Sequence, residues 1–405
     1  MDNNRSGKES SSLRAWLPVV ALTFAVFVFN TSEFIPIGLL TDIANDFKMS
    51  ESQAGLLITV YAWVVGIASL PLMLAASKAE LRKLMIGIIV LFIASHLLSA
   101  FSTTYSMLMV SRIGVACSHS IFWAIVSPMA VRVAPKGKMS MALGFIITGT
   151  SIAMIIGLPL GRVVGLHIGW RMTFFYIAVA ATLMLLFFSA IFPKMESKDK
   201  MSLRALPALL EKKALVGVFL LTVVFVTGHY TAYSYIEPFL AQVAGLGDGL
   251  VTLVLTLFGL VGIGGSVMFS KYYDRKPSAF IKGCVLGVVV MLLLLQVSAM
   301  AVWSVFIVCI LWGFSITIYN LVFQSEIIQL APKATAIAMA IYSGIYNVGI
   351  GSGALVGGAV CDEWSVAGVG YAGGIISLVA VVYCLKWLLP SILKDKSISS
   401  KREKQ

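Results

Sequence analysis

Twelve long apolar runs separated by short polar loops constrain this chain more than any other feature. They lie at about 16–40, 53–76, 84–101, 106–131, 140–166 and 170–192, and then at about 215–243, 250–273, 278–301, 303–330, 334–361 and 366–390. A helix needs about 20 apolar residues to cross a bilayer, and each run is of that order. The cuts near 131–140 and 301–303 are the shortest. Composition agrees: 59% of residues are hydrophobic and only 12% are Asp, Glu, Lys or Arg, against about 25% charged in a soluble domain. A soluble globule could not hide so much apolar surface, and a disordered chain would be far more polar. The expected fold class is all-α, a polytopic membrane protein with twelve transmembrane helices.

The charges carry the topology. The net charge of +12 would suggest nucleic-acid binding in a soluble protein. Here, with both termini placed in the cytoplasm, twenty-six of the 30 Lys and Arg residues fall on that side. They occupy the N-terminal tail, the 78–83 and 132–138 loops, the central loop, the 271–282 segment, Lys333 and the C-terminal end from Lys386. Lys48 and Arg171 fall outside, and Arg112 and Arg162 lie within spans. Such an excess of cytoplasmic basic residues predicts even-numbered spanning with both ends inside, and no nucleic-acid partner. The polar start, Met1 to Arg14, leads into a run too long for a signal-peptide core, so it reads as span 1. Cys117, Cys284, Cys309, Cys361 and Cys384 are scattered singly, with neither metal-ligand spacing nor a disulfide pattern.

A polar stretch from Pro193 to Lys213 divides the runs six and six. The expected organisation is a cytoplasmic tail at 1–15, a six-helix bundle at 16–192, a linker at 193–214, a second bundle at 215–390 and a tail at 391–405. Leu203, Leu206, Leu209 and Leu210, flanked by Arg204 and Lys212–Lys213, suggest a short amphipathic helix in the linker. The halves echo each other: Gly157-Leu-Pro-Leu-Gly161 in span 5 returns as Gly353-Ala-Leu-Val-Gly357 in span 11, 196 residues later. Span 1 ends Glu33-Phe-Ile-Pro36 and span 7 ends Tyr235-Ile-Glu237-Pro238. Two pseudo-symmetric six-helix bundles of a duplicated transporter are the expectation.

Polar groups inside hydrocarbon are costly, about 2.5–3.5 kcal/mol for a charge at a helix centre, and mark function or tight pairing. Asn30 and Glu33 share a face of span 1; Arg112, His119 and Trp123 share a face of span 4; His229, Tyr230, Tyr233, Tyr235 and Glu237 belong to span 7; Asn347 lies in span 11. The candidate solute-binding set is Asn30, Glu33, His119, Trp123, His229, Tyr230, Tyr233 and Asn347, with His119 first and Glu33 second for proton coupling. Plainer readings stand beside these. Glu33 and Glu237 could meet water at span ends, Arg112 could form an outer-end ion pair, and His96, without polar company on its own face, reads as packing. Tyr230, Tyr233 and Tyr235 straddle more than one face, so at most two can line one cavity. These groups suit a neutral hydroxylated or amphipathic solute rather than an anion, which would want several midplane cations. No phosphate-binding loop, metal-ligand set or nucleophile–base pair is present, so neither ATP coupling nor enzymatic activity is expected. Small residues at Gly149, Gly157 and Gly161 permit close helix approach, and Pro159 a bend.

These strings resemble the major facilitator superfamily. Span 5 resembles the antiporter motif of its drug:proton antiporter branch, carried by Gly149, Gly157, Pro159 and Gly161, and Gly169-Trp170-Arg171-Met172-Thr173-Phe174 is a further mark. Arg112-Ile-Gly-Val-Ala, His119-Ser-Ile-Phe-Trp123, His229-Tyr-Thr-Ala-Tyr-Ser-Tyr-Ile-Glu237 and Asn347-Val-Gly-Ile-Gly resemble bacterial sugar efflux transporters. The resemblance implies a multi-pass protein of the bacterial inner membrane, acting as a monomer. It implies export of small neutral sugars, of the arabinose or isopropyl thiogalactoside type, driven by the proton gradient without a cofactor. It also places solute near His119 and Asn347. The superfamily's loop signature after span 2 is degraded here, with Lys78 at its Asp position, whereas Asp274-Arg275 is kept in the second half. Asp274, Arg275 and Arg112 are therefore the gating candidates. A multidrug:proton antiporter and a non-transporting receptor or scaffold are the alternatives.

Overall fold

The computed structural model describes residues 3–76, 79–196, 206–332 and 334–394. Lys78, Leu203, Arg204, Lys333 and the tail beyond 394 lie outside the described residues. Among the described residues every regular element is helical. Twelve helices among the described residues are long and apolar enough to cross a membrane: α1 (Arg14–Gly38), α2 (Glu51–Met73), α3 (Leu81–Ala100), α4 (Tyr105–Val133), α5 (Met141–Ile168), α6 (Trp170–Ile191), α7 (Lys213–Tyr233), α8 (Asp248–Arg275), α9 (Pro277–Ser298), α10 (Val302–Leu330), α11 (Ile337–Glu363) and α12 (Val366–Lys394). Helices satisfy their own backbone groups, which is what lipid demands of a spanning segment. The shortest expected cuts are real turns, at Ala134–Lys138 and at Ala299–Ala301. Leu183 and Leu186 on α6, and Ile375 and Val379 on α12, are at least 60% exposed. Water would penalise such outward apolar stripes, whereas hydrocarbon accepts them.

The chain forms two compact units. The first comprises Met1–Gly38 and Ala68–Met201, the second Leu39–Ile67 and Ser202–Gln405. In the first, the glycine face of α5 lies on α1. A Cβ on Gly149 would stand 2.6 Å from the Thr23 carbonyl oxygen, one on Gly157 would collide with the Thr31 side chain, and one on Gly161 with Ile35. A π-helical turn at Ala153–Gly157 precedes Pro159, whose ring would otherwise clash with the preceding turn. In the second unit α11 lies on α7 in the same manner. A Cβ on Gly353 would stand 2.5 Å from the Thr227 carbonyl oxygen, and one on Gly357 would collide with the Thr231 carbonyl. Gly157 with Thr31 and Gly353 with Thr227 are both related by the offset of 196, as are Gly161 with Ile35 and Gly357 with Thr231. That register corrects one expected echo: it aligns Pro36 with Ala232 rather than Pro238.

Of the expected amphipathic linker helix, the described part is one short turn, Leu206–Leu210, with Leu209 buried and Leu210 exposed. The start of the linker is held by the first unit. Leu81 N–H donates to the Met195 carbonyl at 2.8 Å, and Met195 N–H donates to Glu80 Oε1 at 2.6 Å. Glu80 also caps α3, accepting from the N–H groups of Arg82 and Lys83. Burial pushes the Glu80 carboxyl up, but the backbone donors of Met195, Arg82 and Lys83 outweigh it and hold it below the usual carboxylate range. Arg82 and Arg132 complete the clip, donating to the carbonyls of Ser189 and Glu196.

Candidate functional site

Each unit carries a buried polar cluster built around a histidine. In the first, Glu33 of α1 faces His119 of α4, with Oε2 and Nε2 3.5 Å apart; His119 is 1% exposed and Glu33 14%. The Glu33 side chain is thus largely enclosed rather than standing free at a span end. Aromatic rings wall the pair. Phe29 is stacked between Phe92 and Phe122, presents an edge to His119 at 5.5 Å, and the Trp123 ring lies 6.1 Å from the imidazole. This follows from helical spacing, since His119 and Trp123 are one turn apart on α4.

Ser32, next to Glu33, organises the rest. Its hydroxyl is 2.7 Å from His96 Nε2 of α3, and its carbonyl accepts from Arg112 Nη1 of α4 at 3.3 Å. His96 therefore does have polar company, though from α1 rather than from its own helix. Arg112 is 1% exposed, so its guanidinium is buried within the first unit rather than standing in water. Asn30 donates to Thr150 Oγ1 at 3.3 Å and so ties α1 to α5.

The second cluster centres on His229 of α7. Trp312 Nε1 of α10 donates to His229 Nδ1 at 3.0 Å. Tyr233 stacks on the imidazole at 5.3 Å and Tyr230 meets it edge-on at 4.8 Å. Seven residues back on α7, Tyr319 reaches Thr222 Oγ1 at 3.4 Å and stacks on Phe225. The pairs His229–Trp312 and Thr222–Tyr319 run in opposite senses along their helices, the register of antiparallel packing. Asn347 of α11 donates to the Ser343 carbonyl at 3.0 Å, while its Oδ1 is buried without a partner, as are Tyr342 OH and Asn320 Oδ1. Tyr235 leaves this cluster. It is fully buried, donates to the Ala354 carbonyl at 3.0 Å, and packs on Gly55 and Gly358.

Glu237 is 3% exposed and accepts from Thr41 N–H at 3.3 Å and Thr41 Oγ1 at 2.8 Å, which overturns its reading as a water-facing terminal carboxylate. Asp274 and Arg275 are exposed, whereas the neighbouring Tyr273 is buried and donates to Glu326 of α10. Among the described residues no three His, Cys, Asp or Glu side chains are grouped as metal ligands. Sequence reasoning missed Trp312, Ser32 and Thr150. Trp312, Tyr319 and Glu326 recur every seventh residue on α10 and are all fully buried, a signal of one polar face that was available in the sequence.

Residues 22–338 match the family described as Major Facilitator Superfamily. Solved transporters share the fold at low identity. The human organic anion transporter MFSD10 (TETRAN) is 14% identical with a TM-score of 0.66, over 91% of this chain and 99% of its own. A POT family transporter in complex with 5-aminolevulinic acid is 13% identical with a TM-score of 0.72, over 93% of this chain and 96% of its own. A bacterial homolog of the human lysosomal transporter Spinster, inward-facing and unoccupied, is 14% identical with a TM-score of 0.68, over 94% and 96%.

Proposed function

Because the chain belongs to the major facilitator superfamily of secondary transporters, we propose that it exports small neutral sugars in exchange for protons across the bacterial inner membrane. The observation that carries the proton half is the Glu33–His119 pair, a carboxylate and an imidazole at 3.5 Å in an aromatic enclosure. Proton gain by one member changes the charge of the pair, and with it the cost of leaving that pair in a dry site. Asn347 Oδ1, Tyr342 OH and Asn320 Oδ1 support the solute half. They are buried polar atoms without partners. Leaving such groups unpaired costs about 1–3 kcal/mol each, which a hydroxylated ligand would relieve. No cofactor is called for; the proton gradient supplies the energy by alternating access.

The test is uptake of labelled arabinose or isopropyl thiogalactoside into inverted vesicles under an imposed pH gradient. Gradient-dependent uptake is expected in the native chain and none in His119→Ala at equal membrane abundance. Native vesicles that take up no sugar under any gradient would sink the sugar reading, and normal uptake by His119→Ala would remove that residue from coupling. The aromatic enclosure of Tyr230, Tyr233, Trp312 and Phe258 also favours a second reading, a multidrug:proton antiporter, since such rings attract flat cations. Transport of hydrophobic cations in place of sugars in the same vesicles decides for it.

A further inference from the structure

The glycine contacts give both repeats a common coordinate. At the offset of 196 that relates Gly157–Thr31 to Gly353–Thr227, position 33 on α1 corresponds to position 229 on α7. Each position faces a ring nitrogen from the fourth helix of its own repeat: Glu33 faces His119 of α4, and His229 faces Trp312 of α10. The places are equivalent but the chemistry differs. We propose that the Trp312 indole locks His229 as a neutral imidazole with its proton on Nε2, which makes His229 a fixed hydrogen-bond donor to solute and bars it from proton coupling.

An indole N–H can only donate, so His229 Nδ1 must accept with its lone pair. While that bond stands, Nδ1 holds no proton and the ring's single proton is on Nε2. A second proton would have to break the 3.0 Å bond, leaving an indole donor and a cation together in a buried place. Among the described residues no charged side chain contacts the ring. His229 is 2% exposed, and its hydrogen bonds and ring contacts are with Tyr230 and Tyr233 of α7 and Trp312 of α10. Around these stand Phe258 of α8, Cys309 of α10 and Tyr346 of α11, none of them charged at neutral pH. Trp312 is a positioning residue, itself fully buried and set edge-on against Tyr233 and Phe258 at 5.9 and 5.3 Å. In the first repeat the imidazole faces a carboxylate instead, and a proton can pass between them. The use of the Nε2 donor for solute rests on the export reading, whereas the tautomer does not.

The chain has four histidines, so 15N-histidine labelling of the full chain in lipid nanodiscs gives a tractable spectrum. The His229 signals are assigned by their loss in His229→Gln and, independently, by transfer from an indole proton. The expected result is a bare Nδ1 and protonated Nε2 from about pH 5 to about pH 8, with Trp312→Phe releasing the ring to both tautomers or to titration. A native His229 that carries its proton on Nδ1, or titrates in that range, overturns the proposal. In vesicles, His229→Ala should raise the sugar KM about tenfold, the loss of one solute hydrogen bond, and His229→Gln by less, because its amide can still donate. Neither should move the midpoint of the pH profile; a shift of about one unit in either variant overturns the proposal. If no sugar is carried at all, the export reading fails, and the spectrum alone decides the tautomer.

Discussion

At the scale of single residues, Ser32 does more than its type suggests. Its hydroxyl is His96's partner and its carbonyl receives Arg112, so it sets α3 and α4 against the turn of α1 that carries Glu33. Ser32→Ala would leave His96 buried with neither ring nitrogen paired, since Nδ1 already lacks a partner. We expect a loss of about 1–3 kcal/mol, the cost of an orphaned buried group, read as a lower unfolding temperature in nanodiscs. An unchanged midpoint would show that the hydroxyl is not His96's support. Ser32 was invisible in the sequence because a serine in an apolar span carries no pattern of its own. Glu33 and His119 were legible because ionisable groups are rare there. Arg112 and Glu237 were legible as oddities, but their burial was not, since depth near a span end depends on neighbours outside the helix.

Helix packing makes sharper predictions than helix composition. Gly157 and Gly353 are equivalent, yet they face different obstacles. An added methyl at Gly157 meets only side-chain atoms, Thr31 Oγ1 and its Cβ at 2.9 Å, whereas at Gly353 it meets the Thr227 backbone oxygen at 2.5 Å and Tyr230 Cβ at 2.7 Å. Gly353→Ala should therefore lose more thermal stability than Gly157→Ala, within the range of about 1–3 kcal/mol typical of overpacking. Equal losses would mean that the α7 backbone yields as readily as the Thr31 side chain. The glycine pattern itself was readable from the sequence; which face it packed on was not. That gap is why the echo ending in Pro36 and Pro238 was aligned out of register. Trp312 was passed over because a tryptophan in an apolar run reads as bulk, although its sevenfold recurrence with Tyr319 and Glu326 marked a face. The Glu80 clip has its own signature. Its carboxyl is held below the ordinary range, so it stabilises the fold above the unfolded-state pKa, and the benefit disappears as pH falls through the folded value. Glu80→Gln should thus unfold at a lower temperature than the native chain at neutral pH, and the difference should begin to shrink as pH falls below about 4.3. A constant difference across that range would show that the clip does not depend on the charge.

For the whole molecule, the count of spans and their limits could be read almost directly, because hydrocarbon thickness fixes helix length and the loops are short. The grouping of α2 residues Glu51–Ile67 with the second unit could not; it depends on side-chain fit, as of Tyr235 against Gly55, that hydropathy does not encode. The locked, uncharged His229 has a consequence at this scale. If Glu33 and His119 exchange one proton per cycle while the second repeat adds no charge, carrying out a neutral sugar moves one net positive charge inward. The cycle is then an electric current as well as a chemical exchange. Membrane voltage would drive it at about 2.3 kcal/mol per proton for each 100 mV, and an imposed potassium diffusion potential, negative on the side that protons enter, should accelerate export at constant pH. A rate indifferent to voltage would mean that a second charge travels with the sugar.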